Sequence, residues 1–419
     1  MKNHIVLLAS LDTKAPEAEF LRDCIEEEGA SCILLDIGYG RPPQSEADIL
    51  ADDVALAAGT DIETVRAMRD TGAASNLMMQ GAIIRTHELL REGRLNGIVA
   101  FGGASNTTLA TGVMQTLPVG IPKLMISSSA AMPAYAAKYY GSKDITITHA
   151  IVDISGLNTI TKSLLRRGAG AICGMAACSR GEVRSLTGKK LVAVSSFRFA
   201  ESCSQAVMHE LENLGYSPIP FHAQGVGENA MEDLLDQGLF VGVIDVVPAG
   251  LSEYMLGGNR AARGDRLEAA GRAGIPQVIA PSGFDMISCG PISRRDSGDP
   301  LWEQRRLAER QICIPDKFRV EARTTAEEVK AIASAVARKI NDNEAPSCVV
   351  VPMQGWSSLS VREADLYAPD VDAEFVPALK ATLKPACEVL EVDAELNSAA
   401  FAHALVEQFL RLIDAQVAS

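Results

Sequence analysis

Phe101-Gly102-Gly103-Ala104-Ser105-Asn106-Thr107-Thr108 joins an apolar run to a segment with helical spacing. Two glycines let a chain turn tightly and bring bare backbone against a ligand. Ser105, Asn106, Thr107 and Thr108 add side-chain donors beside the unpaired N–H groups of a helix N-terminus, an arrangement that favours an anion and most simply a phosphate. The segment is neither a Walker loop nor a G-x-G-x-x-G, so a plain glycine turn with a Ser/Thr cap stands level with it. Asp12-Thr13-Lys14 follows the first apolar run. There Lys14 could meet phosphate charge and Asp12 a metal or a hydroxyl, against the simpler reading of a capped turn with a solvated lysine. Asp36, two residues before Gly38, could accept from ribose hydroxyls. Ser127 and Ser128 end a further run, and Asp144 and Asp153 follow it.

The second half offers acid–base candidates in place of a phosphate loop. Asp245 ends an apolar run, Glu253 lies eight residues on, and Asp285 sits in Ser282-Gly283-Phe284-Asp285. His222 follows a predicted strand, and general acid–base work needs such a histidine or a perturbed carboxylate near the substrate. Cys289 has no partner base nearby in sequence and reads as an ordinary thiol. No G-x-S-x-G, H-E-x-x-H or kinase signature is present.

The elements that must position these residues alternate almost from end to end. β-branched apolar runs at 4–9, 32–37, 97–101, 122–126 and 144–148 are separated by helical segments, among them 16–28, 76–92, 106–116 and 157–178. Polar, glycine-bearing residues 181–190 read as a linker. The rhythm restarts with runs at 191–195, 217–221, 240–244, 276–280, 347–351 and 387–392, with helices expected near 201–214, 228–237, 264–272, 372–383 and 398–415. Thr325-Ala326-Glu327-Glu328 is a capping box that opens another, with Val329, Ile332, Ala333, Val336 and Ile340 on one face. Residues 284–310 are charged and irregular. The pattern predicts an α/β chain of two Rossmann-like doubly wound parallel-sheet lobes with a cleft between them, residues 1–180 and 191–419. In such sheets ligands bind beyond the carboxyl ends of the strands, which is where the polar residues above fall.

Composition narrows the functional classes. Against 39 Lys+Arg stand 53 Asp+Glu, a net charge of −14, and basic pairs such as Arg166-Arg167 and Lys189-Lys190 are isolated. Such a chain repels phosphate backbones, so no nucleic-acid partner is expected. No apolar run reaches the ~18 residues of a membrane span, so no membrane partner is expected either. The nine cysteines form no C-x-x-C pair and the six histidines lack ligand spacing. This suits reduced thiols in a cytoplasmic protein without structural zinc. Apolar lobes of this kind often associate, and a homo-oligomer is expected.

Taken together, Leu11-Asp12-Thr13-Lys14, Asp36-Ile37-Gly38, the Phe101–Thr108 segment, Leu117–Met125, Asp153–Asn158, Arg266–Gln277, Phe284-Asp285-Met286 and Arg323-Thr324-Thr325 resemble the UPF0261 family, the Tm-1-like ATP-binding proteins. The likeness runs over essentially the whole chain. It implies two Rossmann-like subdomains, with ATP and Mg²⁺ held by the first, and places Asp12, Thr13, Lys14, Asp36, Gly38 and Gly102–Thr108 in the pocket. The family loop commonly reads G-G-S-G-G-T, and here Ala104 and Asn106 depart from it.

Three readings follow. In the first, ATP serves phosphoryl or adenylyl transfer to an unidentified small molecule. Lys14 then faces phosphate, Asp12 or Asp144 the metal, and Asp245, Glu253 or His222 the second substrate. In the second, an anionic metabolite lies between the lobes without ATP turnover, with Asp245, Asp285 or His222 as acid or base. In the third, a regulatory protein uses the nucleotide only to hold a conformation.

Overall fold

The computed structural model describes residues 2–178, 188–343, 345–385 and 387–418. The chain divides into two compact units, residues 1–187 and 188–419. Most of the expected linker, residues 181–187, lies outside the described residues.

The first unit runs β1 (His4–Ala9), α1 (Ala15–Glu27), β2 (Ser31–Asp36), α2 (Ala51–Ala57), α3 (Ile62–Ala67), α4 (Thr71–Arg91), β3 (Gly97–Gly102), α5 (Ala104–Thr116), β4 (Lys123–Ser127), α6 (Ala136–Tyr140), β5 (Ile145–His149) and α7 (Thr159–Cys178). Its five strands are all parallel, in the order β2-β1-β3-β4-β5. Helices cover both faces, so the strands are apolar throughout rather than alternating. On β1, Val6 and Leu8 join the core under α2, α4 and α5, while Ile5, Leu7 and Ala9 join the one under α1 and α7. The strand order reverses direction between β1 and β3, which opens a crevice beyond their carboxyl ends.

The second unit runs β6 (Leu191–Ser196), α8 (Glu201–Asn213), β7 (Ser217–His222), α9 (Val226–Leu235), β8 (Phe240–Asp245), α10 (Ala249–Leu256), β9 (Gln277–Ile279), β10 (Met286–Ser288), β11 (Ile312–Cys313), β12 (Glu321–Arg323), α11 (Ala326–Asn341), β13 (Ser347–Pro352), α12 (Phe375–Thr382), β14 (Glu388–Val392) and α13 (Ala399–Ala418), with several one-turn helices between. Six parallel strands form the order β14-β13-β9-β8-β6-β7, which from β7 inward repeats the order of the first sheet. The expected capping box is formed, with Glu328 N–H donating to Thr325 Oγ1 at 3.3 Å and Thr325 N–H to Glu328 Oε2 at 3.0 Å. The helical face it opens is buried.

Two expectations fail here. The helix near 264–272 shrinks to Ala269–Arg272, because the backbone N–H groups of Leu267 and Ala269 donate to the buried Glu232 carboxylate instead. The irregular 284–310 stretch contributes β10 to a small antiparallel sheet, β10-β12-β11.

Candidate functional site

The crevice between β1 and β3 is built from backbone. Gly102, at φ +147, closes β3 in a conformation that L side chains rarely adopt. Gly103 is the N-cap of α5 and has no side chain to accept from the first turn. The first intrahelical bond runs from Thr107 N–H to Gly103 C=O at 2.9 Å. The N–H groups of Ala104, Ser105 and Asn106 are therefore left for another acceptor, at the end of the helix where the dipole favours an anion. A Cβ built on Gly103 meets only Ser128 Oγ, at 3.8 Å, so the turn faces open space.

The polar side chains around it divide into builders and presenters. Thr107 donates to Gly103 C=O at 2.8 Å, and its hydroxyl lies 2.7 Å from that of Ser127. Ser127 in turn lies 3.0 Å from Ser129, so these buried hydroxyls lock the turn to β4. Thr108 bonds back to Ala104 C=O at 2.9 Å. Ser105 is exposed, and half-buried Ser128 donates its backbone N–H to Gly102 C=O at 3.1 Å. Asn106 lies across the crevice, and Ser10 Oγ donates to its Oδ1 at 3.0 Å. That bond leaves the Asn106 amide nitrogen without an acceptor.

Asp12 and Asp36 shape the neighbouring loop. Asp12 Oδ2 accepts from Gly40 N–H at 2.8 Å and Arg41 N–H at 3.2 Å, and Thr13 donates to Oδ1 at 3.3 Å. Asp36 Oδ1 accepts from Leu11 N–H at 3.0 Å and Gly38 N–H at 2.8 Å. Burial pushes the Asp36 carboxyl above its usual range, opposed by those two hydrogen bonds and reinforced by Asp12. Gly38 lies between the carboxylates, and a Cβ there would fall 2.8 Å from Asp12 Oδ1 and 3.0 Å from Asp36 Oδ1. Lys14 donates its ammonium to Ile154 C=O, and Gly156 N–H donates to Glu17 at 2.6 Å, so the Asp153–Asn158 loop closes over the start of α1.

Asp144 does not join this group. It precedes β5 and so sits at the amino end of a strand that spans roughly 16 Å. Its Oδ1 takes Lys123 Nζ at 2.7 Å and its Oδ2 takes Gly120 N–H at 2.8 Å. The cofactor and metal roles expected of Asp144 are corrected accordingly, since Asp12 and Asp144 cannot share an ion. Among the described residues no group of three or more His, Cys, Asp and Glu could hold a metal.

The three carboxylates among the acid–base candidates of the second unit are also corrected. Asp245 is buried, accepting from Ser195 Oγ at 2.6 Å and pairing with Arg266 at 2.6 Å. Arg266, wholly buried, also pairs with Glu228 at 3.0 Å and Glu232 at 2.8 Å. Glu253 pairs with Arg260 at 2.8 Å, which also holds Glu321 at 2.8 Å. Asp285 accepts from Ser357 Oγ at 2.6 Å and from Gly283 N–H at 3.0 Å. With no surface to meet a substrate, Asp245, Glu253 and Asp285 serve as structural anchors. No local spacing in the sequence announces these arginine partners, since the contacts join residues 7 to 61 positions apart. His222 is exposed and stacks on Phe197, ring centroids 5.1 Å apart. Cys289 is buried, which pushes its thiol up to about 12 and leaves it unreactive. All nine cysteines are free, and no described helix is long and apolar enough to cross a membrane.

The chain matches two family profiles end to end: "Uncharacterised protein family (UPF0261) N-terminal domain" over residues 3–180 and the corresponding C-terminal domain over 189–413. A UPF0261 protein of Clostridium tetani is 32% identical over 99% of this chain and 100% of its own length. The ToMV resistance protein Tm-1(GCR237) of Solanum lycopersicum is 32% identical over 77% of this chain, which covers 42% of that longer protein. A UPF0261 protein of Brucella suis is 29% identical over 98% of this chain and 95% of its own.

Proposed function

This chain belongs to the UPF0261 family, and from that premise we propose that its first unit binds a nucleotide, ATP, with the phosphates at the crevice between β1 and β3. The observation that carries the reading is the row of three N–H groups at Ala104, Ser105 and Asn106, unclaimed by the helix and opening from a glycine turn at the point where the strand order reverses. The Asn106 amide and the Ser105 and Ser128 hydroxyls add donors around the same opening, and Lys14 is the nearby cation once it releases Ile154. The resemblance to the Tm-1-like ATP-binding proteins supports the choice of ATP over other phosphates.

The residues present do not make a dedicated metal site. Asp12 is mostly engaged by the backbone of residues 40–41, so a magnesium ion arriving with the nucleotide would take its ligands chiefly from phosphate oxygens and water, as Mg²⁺ commonly does. With the Asp12 and Asp36 carboxylates taken up by backbone N–H groups, the reading is of binding and positioning, with transfer to a second small molecule as its natural use.

Gly103→Val tests the proposal. Its Cβ meets nothing closer than 3.8 Å, so the variant folds, while the branched side chain occupies the phosphate space. ATP affinity measured by titration calorimetry is expected to fall at least a hundredfold. A folded variant with unchanged affinity moves the site elsewhere.

A further inference from the structure

A cavity of about 450 Å³ lies in the second unit, walled by Val351, Met353, Trp356, Val376 and Asp372, with Lys380 and Glu391 at its rim. Its size falls within the range of small-molecule sites. The walls are mostly apolar, and two polar groups in them have no hydrogen-bond partner within the protein. Asp372 gives Oδ1 to Arg323, and its other oxygen has no partner. Trp356 is almost wholly buried, and its indole N–H has no acceptor in the protein. A ligand that met both would replace water at each and fix its own orientation in the cavity.

The polar backing of the cavity looks built rather than incidental. Arg323 is buried and fixed by the carbonyl of Asp285 at 2.7 Å and by Thr324 Oγ1 at 3.0 Å, and it in turn holds Asp372. Asp285 is itself held by Ser357 and Gly283. Two carboxyl groups, Asp285 and Asp372, thus stand behind the cavity with one guanidinium, Arg323. The rim adds no net charge, because Lys380 and Glu391 pair at 2.8 Å. Burial raises the Asp372 carboxyl to about 7, with Asp285 adding to the rise and Arg323 opposing it. Counted by its charged groups, two carboxyls against one guanidinium, the backing of the cavity is one positive charge short.

We propose that this cavity binds a small organic amine, its ammonium on Asp372, its apolar body against Val351, Met353 and Val376, and a hydrogen-bond acceptor on that body against the Trp356 indole N–H. Nothing in this rests on the nucleotide reading of the first unit.

The full chain is titrated with methoxyphenylethylamine, which carries all three features, and with methoxyphenylpropionate, its counterpart of opposite charge. With two tryptophans in the chain, a ¹⁵N correlation spectrum resolves two indole N–H signals. Trp302, bonded to Cys289 C=O at 2.8 Å, is the internal control. The amine is expected to bind saturably, at least tenfold tighter than the carboxylate, and to shift the Trp356 signal but not that of Trp302. Ala373→Phe, which fills the cavity from its exposed side, is expected to cost at least tenfold in amine affinity. Asp372→Asn is expected to bring the two probes within threefold of each other. Absence of saturable amine binding, equal or tighter binding of the carboxylate, or a Trp356 signal that stays still overturns the proposal, and these readings on the unmodified chain decide it even if a variant fails to fold. Loss of ATP binding in Gly103→Val has no bearing on any of them.

Discussion

Ser10 and Asn106, 96 positions apart, meet across the mouth of the first crevice, with the serine hydroxyl donating to the asparagine Oδ1 at 3.0 Å. The contact fixes which way the amide points. With Oδ1 occupied, the NH₂ end is the one left to donate at the turn, so the asparagine offers a hydrogen bond there and not merely bulk. Its side chain also covers Gly102, where an added Cβ would fall 2.8 Å from Asn106 Cβ.

Asn106→Asp separates binding from stability. A carboxylate in the first turn of α5 interacts favourably with the helix dipole, by about 0.3–1 kcal/mol, yet under the proposed reading it would face the phosphates. Thermal unfolding is expected to stay level or rise slightly, while ATP affinity by calorimetry falls more than tenfold and adenosine affinity changes little. Parallel loss of both ligands would show that Asn106 does not face phosphate.

Gly38→Ala places a methyl group against two carboxylates at once. Neither gives way easily, because Asp12 is held by Gly40 and Arg41 and Asp36 by Leu11 and Gly38. Overpacking of this kind costs about 1–3 kcal/mol. Urea denaturation should show a loss of that order, and a neutral result would mean that the 36–41 loop adjusts freely.

Arg266→Leu strips the common partner from Glu228, Glu232 and Asp245, all buried. Removing one member of a buried ionic group costs about 3–5 kcal/mol, since the remaining charges have neither water nor a partner. The denaturation midpoint should drop accordingly. A shift worth less than about 1 kcal/mol would indicate that the carboxyls are already neutral.

Glu321 supplies a pH test. Burial raises its carboxyl to about 7 from 4.5, with Arg260 opposing and Glu253 adding to the rise. Between those values the folded chain keeps a proton that the unfolded chain has released, so the contribution is present below the lower value and is lost as pH rises to about 7. Glu321→Gln cannot titrate. Measured in urea at pH 4.5 and pH 8, the wild type should lose stability relative to this variant on going to the higher pH. An unchanged difference would refute the shift.

Much of the architecture is legible in the residues themselves. Apolar runs such as Ile5–Leu8 and Val349–Val351, buried on both sides, announce parallel strands. Glycine before a Ser/Thr-rich helix start marks the turn at 102–108. The two- and three-residue strands β10, β11 and β12 escape notice because alternation can be read only over about four residues or more. Leu267, at φ +76 and tied through its N–H to Glu232, defeats helix propensity by a contact 35 residues away. The same holds for the acid–base candidates: an aspartate at a strand end reads alike whether it meets solvent or a buried arginine, and only the three-dimensional pairing of Asp245 with Arg266 tells which.

The two sheets repeat one strand order, so each possesses a reversal point where a guest molecule could lodge. In the later half Ser195, Asp245 and Arg266 lie at that position. The polypeptide there supplies from its own side chains the opposite charges that a visitor would otherwise contribute, and the vacancy is plugged from birth. The later half therefore carries a permanent occupant at the position that its twin leaves open.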